Sequence, residues 1–192
     1  MKDNVILIGF AATGKTRVGR RLAERLGREF IDTDERVEEM AGKLIAEIFA
    51  ADGREAFDEL EHQALEEACA RRGVVIAAGG GAIMLDENCD LMAEAGHVIC
   101  LEAKPHTICE RLRRAQAEGT SSVADVLLKG DDPVGRIAMF KEIRQPYYAI
   151  ADWTVHTDRL TIDQVVEEVI HGLKYLEDEW PGWSGISTSE AP

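Results

Sequence analysis

The segment GFAATGKT, residues 9–16, has the spacing G-x-x-x-x-G-K-[ST] of a phosphate-binding loop. In such a loop, backbone N–H groups surround phosphate oxygens, and the following helix adds the positive end of its dipole. Lys15 is placed to reach the β- and γ-phosphates, and the Thr16 hydroxyl is placed to ligate Mg²⁺. The sequence therefore predicts a site for ATP or GTP with Mg²⁺, with contacts from Gly9, Ala11, Ala12, Thr13, Gly14, Lys15 and Thr16.

Two acids lie at the end of the second apolar segment, EFIDTD, residues 29–34. Ligands of parallel sheets bind at the carboxyl ends of the strands. Alternate residues of a strand share a face, so we expect Asp32 and Asp34 to point the same way. One then holds the water shell of the metal and the other meets the hydroxyl of an acceptor. Asp34 has a compatible alternative role, as the cap of a helix that begins near Glu35.

The elements that must position these residues alternate between short apolar strands and longer amphipathic helices. Such alternation predicts an α/β fold with a mainly parallel sheet, covered by helices on both faces. The predicted strands are 4–9, 29–34, 73–81, 97–103 and 152–157. The predicted helices are 14–27, one or two within 35–51, then 53–72, 105–116, 134–150 and 161–176.

The composition limits the partners and the compartment. The 192 residues suffice for one compact domain, and the net charge of −14 argues against nucleic acid, which is bound through Lys and Arg. No apolar run reaches the ~18 residues of a membrane span, and none resembles a signal peptide. The cysteines lack metal-site spacing and indicate buried thiols in a reducing cytosol. We therefore expect a cytoplasmic protein with a small-molecule ligand, no nucleic acid and no membrane partner.

The motifs together resemble those of the shikimate kinase family, within the nucleoside-monophosphate-kinase-like P-loop kinases. The resemblance covers about residues 3–175 and depends on the order and spacing of five short segments. These segments are GFAATGKT (9–16), FIDTD (30–34), IAEIFAADG (45–53), GGGAI (79–83) and RQPYYAIAD (144–152).

The resemblance implies a three-layer P-loop kinase fold with a five-stranded parallel sheet. It implies one kinase domain over 1–176, with a substrate-binding helical region at about 34–61 and a mobile lid at about 112–127. The remaining residues, 177–192, are predicted to form a flexible acidic tail. The implied activity is Mg²⁺-dependent transfer of the ATP γ-phosphoryl group to the 3-hydroxyl of shikimate, by a protein that we expect to be a monomer.

Residue by residue, the resemblance gives each position a role. Lys15 serves the phosphates, Thr16 and Asp32 serve the metal, and Asp34 contacts the shikimate hydroxyls and acts as a base. The remaining implied contacts are Arg111 near the adenine, the backbones of Gly79, Gly80 and Gly81 at the substrate, and Arg144 at the substrate carboxylate.

Two positions depart from the family pattern. In the family, the helix motif is G-E-x-x-F-R-x-x-E and the lid motif is R-P-L-L. This chain has Asp58 in place of the helix arginine, a substrate-contact position, and Asp125 in place of the lid arginine. Losing a charge-assisted contact of ~1.5–3 kcal/mol and adding like-charge repulsion would weaken shikimate binding about a thousandfold or more. Arg54, one helical turn before Asp58, is a candidate to compensate. Candidates to replace the lid arginine are Arg113, Arg114 and Lys129.

Three hypotheses follow from these departures. The first is a shikimate kinase with repositioned basic residues. The second is a related kinase for a different hydroxylated metabolite, whose hydroxyl or amine meets Asp58. The third is a nucleotide-binding regulatory protein with little activity, which the retention of Lys15, Thr16, Asp32 and Asp34 weighs against.

Overall fold

The computed structural model of the chain describes residues 3–119 and 122–179, excluding the side chains of 122, 123, 125, 178 and 179. Five parallel strands form one sheet in the order β2-β3-β1-β4-β5. They are β1 (Asn4–Ile8), β2 (Phe30–Asp32), β3 (Val75–Ala77), β4 (Gly96–Glu102) and β5 (Trp153–His156). This sheet confirms the predicted α/β class.

Nine α-helices surround the sheet within the described residues. They are α1 (Lys15–Leu26), α2 (Thr33–Ala41), α3 (Ile45–Ala51), α4 (Gly53–Cys69), α5 (Asp86–Ala95), α6 (Pro105–Ala117), α7 (Ser122–Leu127), α8 (Pro133–Arg144) and α9 (Ile162–Glu179). Two 3₁₀ segments, Ala82–Met84 and Gln145–Ile150, complete the described elements.

The central strand β1 shows how the layers form. Its side chains alternate between the two faces of the sheet. Val5 and Leu7 pack with residues of α1 and α9 in one core. Ile6 and Ile8 pack in a second core with residues of α4 and α5. Because all five residues of β1 are buried, the strand that leads into the phosphate-binding loop is held on both sides.

The second strand is shorter than predicted, which corrects the placement of its acids. β2 ends at Asp32, and α2 begins at Thr33. Asp32 Oδ1 accepts a hydrogen bond from the Asp34 backbone N–H at 3.1 Å, so the cap of this helix is Asp32 and not Asp34. Strand alternation therefore does not explain how Asp32 and Asp34 are oriented.

Several helix boundaries differ from those predicted from the sequence. The predicted helix 134–150 ends at Arg144, and a 3₁₀ segment that contains Pro146 follows it. Helix α5 was not predicted, and α7 lies in the predicted lid, 112–127, where no helix was predicted beyond residue 116. Helix α9 continues to Glu179, beyond the predicted end at 176. Residues 180–192 of the predicted tail lie outside the described part of the chain.

All four cysteines are free thiols; Cys89, Cys100 and Cys109 are buried, whereas Cys69 is partly exposed. No helix in the described ranges has the length and apolar composition needed to cross a membrane.

Candidate functional site

The phosphate-binding loop joins β1 to α1 through backbone in the left-handed region. Gly14 has φ 106° and Ala12, which carries a Cβ, has φ 59°. Lys15 Nζ donates to the carbonyl oxygens of Gly9 at 2.9 Å and Phe10 at 3.3 Å. The lysine thus lies over the loop, with the ammonium group where the loop would surround a phosphate.

Arg111 ties this loop to the end of the sheet. Its Nη1 donates to the carbonyl oxygens of Ala12 at 3.2 Å and Thr13 at 3.4 Å. Thr157 accepts further bonds from the guanidinium, at Oγ1 at 3.0 Å and at its carbonyl oxygen at 2.7 Å. Burial lowers the pKa of Arg111. The arginine predicted at the nucleotide therefore contacts the nucleotide loop itself.

Thr16 and Asp32 form the pair predicted to hold the metal. The Thr16 hydroxyl donates to Asp32 Oδ2 at 2.7 Å, while Asp32 Oδ1 caps α2. Within the described ranges, no three His, Cys, Asp or Glu side chains group so as to hold a metal by themselves. Mg²⁺ suits such a sparse site, because it keeps several waters and takes one or two carboxylates together with substrate phosphates.

Asp34 lies close to Lys15 and Asp32, so the structure brings together the predicted catalytic and metal residues. Burial raises the pKa of Asp34 to about 6, the Lys15 ammonium opposes this rise, and the Asp32 carboxylate adds to it. Burial lowers the pKa of Lys15, while Asp34 and Asp32 favour its charged form. Asp34 is thus a carboxylate whose proton can exchange near neutral pH, a property suited to a general base.

The glycine cluster brings the end of β3 against these acids. A Cβ on Gly79 would stand 2.6 Å from Asp34 Oδ1, so a side chain at this position would collide with the carboxylate. The Gly79 N–H donates to Thr33 Oγ1 at 2.8 Å and so has a partner within the protein. The Gly81 N–H bonds the Glu61 carboxylate, which leaves Gly80 for the predicted backbone contact to an acceptor.

Glu61 of α4 is a site residue that the sequence prediction missed. It is 2% exposed, and its Oε1 is buried with no hydrogen-bond partner among the described residues. Burial, together with the charges of Asp34 and Asp58, raises the pKa of Glu61 to about 7. The available signals were the last glutamate of the motif G-E-x-x-F-R-x-x-E, which is Glu61, and its position on the buried stripe of α4, where the other members are Phe57, Ala64, Leu65 and Ala68.

Arg144, at the end of α8, faces the same pocket. Its guanidinium carbon lies 5.1 Å from the centre of the Phe10 ring, a cation–π distance that fixes it beside the phosphate-binding loop. Its Nη1 is 3.6 Å from where a Cβ on Gly80 would stand. The Arg144 charge also lowers the pKa of Glu61. Arg144 is therefore placed to bind an anionic group beside the glycine cluster.

Asp58 lies at the mouth of this pocket, paired with the predicted compensating residue. Arg54 Nε donates to Asp58 Oδ2 at 3.2 Å, in the i, i+4 arrangement. The Arg54 side chain is 71% exposed and that of Asp58 is 32% exposed. Such an exposed pair contributes little to stability. Arg54 thus partly offsets the Asp58 charge without replacing it by a positive one.

The basic residues proposed to replace the lid arginine lie at the protein surface. Arg113, Arg114 and Lys129 have exposed side chains. Asp125 belongs to α7, and its side chain lies outside the described part of the chain. The expected loss of the lid arginine therefore stays a prediction.

Comparison with known proteins gives a consistent result. A family model for shikimate kinase matches residues 11–174. The shikimate kinase of Symbiobacterium thermophilum is 42% identical over 172 residues, 89% of this chain and 96% of that protein. That of Pelotomaculum thermopropionicum is 42% identical over 177 residues, 91% of this chain and 99% of that protein. A solved shikimate kinase from Acinetobacter baumannii, in complex with shikimate, matches with a TM-score of 0.80 and 30% identity over 94% of this chain and 96% of that chain.

Proposed function

Because the chain belongs to the shikimate kinase family, we propose that it transfers the γ-phosphoryl group of ATP to the 3-hydroxyl of shikimate. One observation carries the assignment. Lys15, Asp32 and Asp34 converge at the end of the sheet, beside the glycine cluster and Arg144. A phosphate site and a site for a hydroxylated anion therefore adjoin each other.

On the donor side, the phosphate-binding loop and Lys15 hold the ATP phosphates, with Arg111 supporting the loop from α6. Thr16 and Asp32 are the residues that would hold Mg²⁺, directly or through water. When bound, Mg²⁺ neutralises charge on the β- and γ-phosphate oxygens. Phosphoryl transfer requires mainly positioning and charge neutralisation, and Lys15 supplies both.

On the acceptor side, Asp34 accepts a hydrogen bond from the reacting hydroxyl and takes its proton as the oxygen attacks phosphorus. The Lys15 ammonium keeps Asp34 ionised in spite of its burial. Arg144 binds the shikimate carboxylate and so fixes the ring with one hydroxyl toward the phosphates. The backbone of Gly80 lies between Asp34 and Arg144 and offers the remaining protein contact to the acceptor.

Asp58 is the observation that favours a second candidate. A carboxylate at the mouth of a pocket for an acid reduces affinity, whereas a hydroxylated acceptor without a carboxylate, or one with an amine, avoids that repulsion. The similarity to shikimate kinases over about nine-tenths of the chain supports the first candidate. The converged donor residues weigh against a purely regulatory protein.

Release of ADP from MgATP separates these candidates. The purified protein is offered shikimate and then a panel of polyols, sugar acids and amino alcohols. Turnover of shikimate above the panel supports the proposal. Turnover of another compound alone would establish the second candidate, and tight ATP binding with no turnover on any compound would establish the regulatory one.

We also propose that the enzyme is a cytoplasmic monomer with one kinase domain over 1–176. The free thiols support a reducing compartment. The mass of the protein in solution, measured by light scattering, tests the oligomeric state. A mass equal to that of one chain would support a monomer. A mass of two chains that does not change with protein concentration would contradict it.

A further inference from the structure

Three carboxylates surround the acceptor pocket: Asp34, Asp58 and Glu61. A Cβ on Gly79 would stand 2.4 Å from Glu61 Oε1 and 2.6 Å from Asp34 Oδ1. These two oxygens are therefore at most about 5 Å apart, within the range at which like charges hinder each other's ionisation. Asp58, on the outer side, adds to the negative charge at Glu61.

The positive charge in the pocket is smaller. Arg144 is the cation that favours ionised Glu61, and Lys15 lies with Asp34 at the phosphate-binding loop. Arg54 pairs with Asp58 at the exposed mouth. A shikimate carboxylate at Arg144 would add a fourth negative group next to Glu61. Unless a proton enters, the pocket then holds more negative charge than its cations offset.

Glu61 has an oxygen suited to hold that proton. Its Oε2 lies 3.1 Å from where a Cβ on Gly81 would stand, and the Gly81 N–H bonds the carboxylate. Its Oε1 is buried and has no hydrogen-bond partner among the described residues. A buried carboxylate oxygen without a partner is costly when the group is ionised, and a proton on it removes that charge.

We propose that Glu61 is a neutral acid when the acceptor is bound, so that one proton is taken up from solvent with each shikimate bound where free Glu61 is ionised. This inference rests on the proposed function, because it requires an anionic acceptor at Arg144. A pKa of Glu61 near 7 agrees with it, since a neighbouring anion raises that value further. An acid that would otherwise repel the acceptor is thus uncharged when the acceptor is bound.

Linkage gives the expected pH dependence. Acceptor affinity is highest where Glu61 is protonated and falls by about tenfold per pH unit above about pH 8. Other groups in the pocket behave differently. Asp34, with a pKa of about 6, is already ionised in this range. Burial lowers the pKa of Lys15, but Lys15 is the same in the wild type and in a Glu61 variant, so it cannot account for a difference between them.

Calorimetric titration of the nucleotide-free protein with shikimate tests the proposal. The heat is measured at about pH 8 in HEPES and in Tris, whose ionisation heats differ, so that the difference reports protons exchanged. We expect uptake approaching one proton for the wild type, none for Glu61→Gln, and a pH-independent dissociation constant for that variant. The control is Glu59→Gln, which removes an exposed carboxylate from α4 and should behave as the wild type.

The outcomes distinguish a failure of the role proposed for Glu61 from a failure of the proposed function. Shikimate binding without proton uptake, or the same pH dependence in Glu61→Gln, overturns the role of Glu61 and leaves the proposed function intact. Asp58→Asn supplies a second check, because removing that charge should move the loss of affinity to lower pH; an unchanged profile counts against the proposal. No binding of shikimate at any pH contradicts the proposed function and, with it, this inference.

Discussion

Replacing Asp58 by arginine should strengthen shikimate binding. Two unit charges ~4 Å apart repel by about 4 kcal/mol at an effective dielectric of ~20. Asp58 is 32% exposed and paired with Arg54, so we reduce this repulsion to about 1 kcal/mol. A new charge-assisted contact adds about 1.5–3 kcal/mol. The total of about 3 kcal/mol predicts a KM for shikimate lowered by about a hundredfold.

The assay is steady-state release of ADP at saturating MgATP with shikimate varied. Because the added contact binds substrate and transition state alike, kcat should change little while KM falls. Asp58→Asn removes charge without adding a cation and should lower KM by less, about fivefold. Glu59→Arg makes the same change of charge on the exposed side of α4 and should leave KM near the wild-type value. A KM that is unchanged or raised in Asp58→Arg would refute the electrostatic reasoning about this position.

Other predictions follow from the same contacts. Gly79→Ala should lower kcat/KM by at least ~100-fold, because the new Cβ would stand 2.4 and 2.6 Å from two carboxylate oxygens; near-normal kinetics would show that the pocket adapts. Asp34 acts ionised, so kcat/KM should fall about tenfold per pH unit below its pKa of about 6; a flat profile from about pH 5 to 7 would exclude it as the base. Thr16→Ala should raise the Mg²⁺ concentration for half-maximal activity by ~10-fold or more, and an unchanged Mg²⁺ titration would remove Thr16 from the metal site. Lys141 is buried and pairs with Glu102, so Lys141→Met should lower the free energy of unfolding by about 3 kcal/mol in urea, whereas a change under about 1 kcal/mol would mean that solvent reaches Glu102.

Much of the donor site follows from local sequence. The phosphate-binding loop is predictable because its chemistry depends on consecutive residues, whose backbone directions are set by the loop itself. The sheet is predictable because fully buried parallel strands appear as short apolar runs. The end of β2 was harder to predict from the sequence, because Asp32 can either continue a strand or cap a helix. The hydrogen bond that caps α2 decides between the two.

The acceptor site depends on distant segments and was only partly predictable. The resemblance indicated Asp34, the glycine cluster and Arg144. It did not indicate how the charged side chains around them affect one another's ionisation. Glu61 lies 27 positions after Asp34 in the sequence, yet both carboxylates approach Gly79. Its burial arises from the packing of α4, and this packing cannot be read from a list of motif residues. The effect of Asp58 likewise depends on its neighbours, Arg54 and Glu61.

The most direct test of the assignment is the identity of the product formed from shikimate and MgATP. Phosphorus–proton correlation NMR of the reaction mixture locates the new phosphate ester on the ring. We predict one phosphate on the 3-hydroxyl, formed in equal amount to ADP, with formation lost in Asp34→Asn. ADP release without a phosphorylated shikimate, or a phosphate on another hydroxyl, would contradict the proposed acceptor and the orientation that Arg144 and Asp34 impose on it.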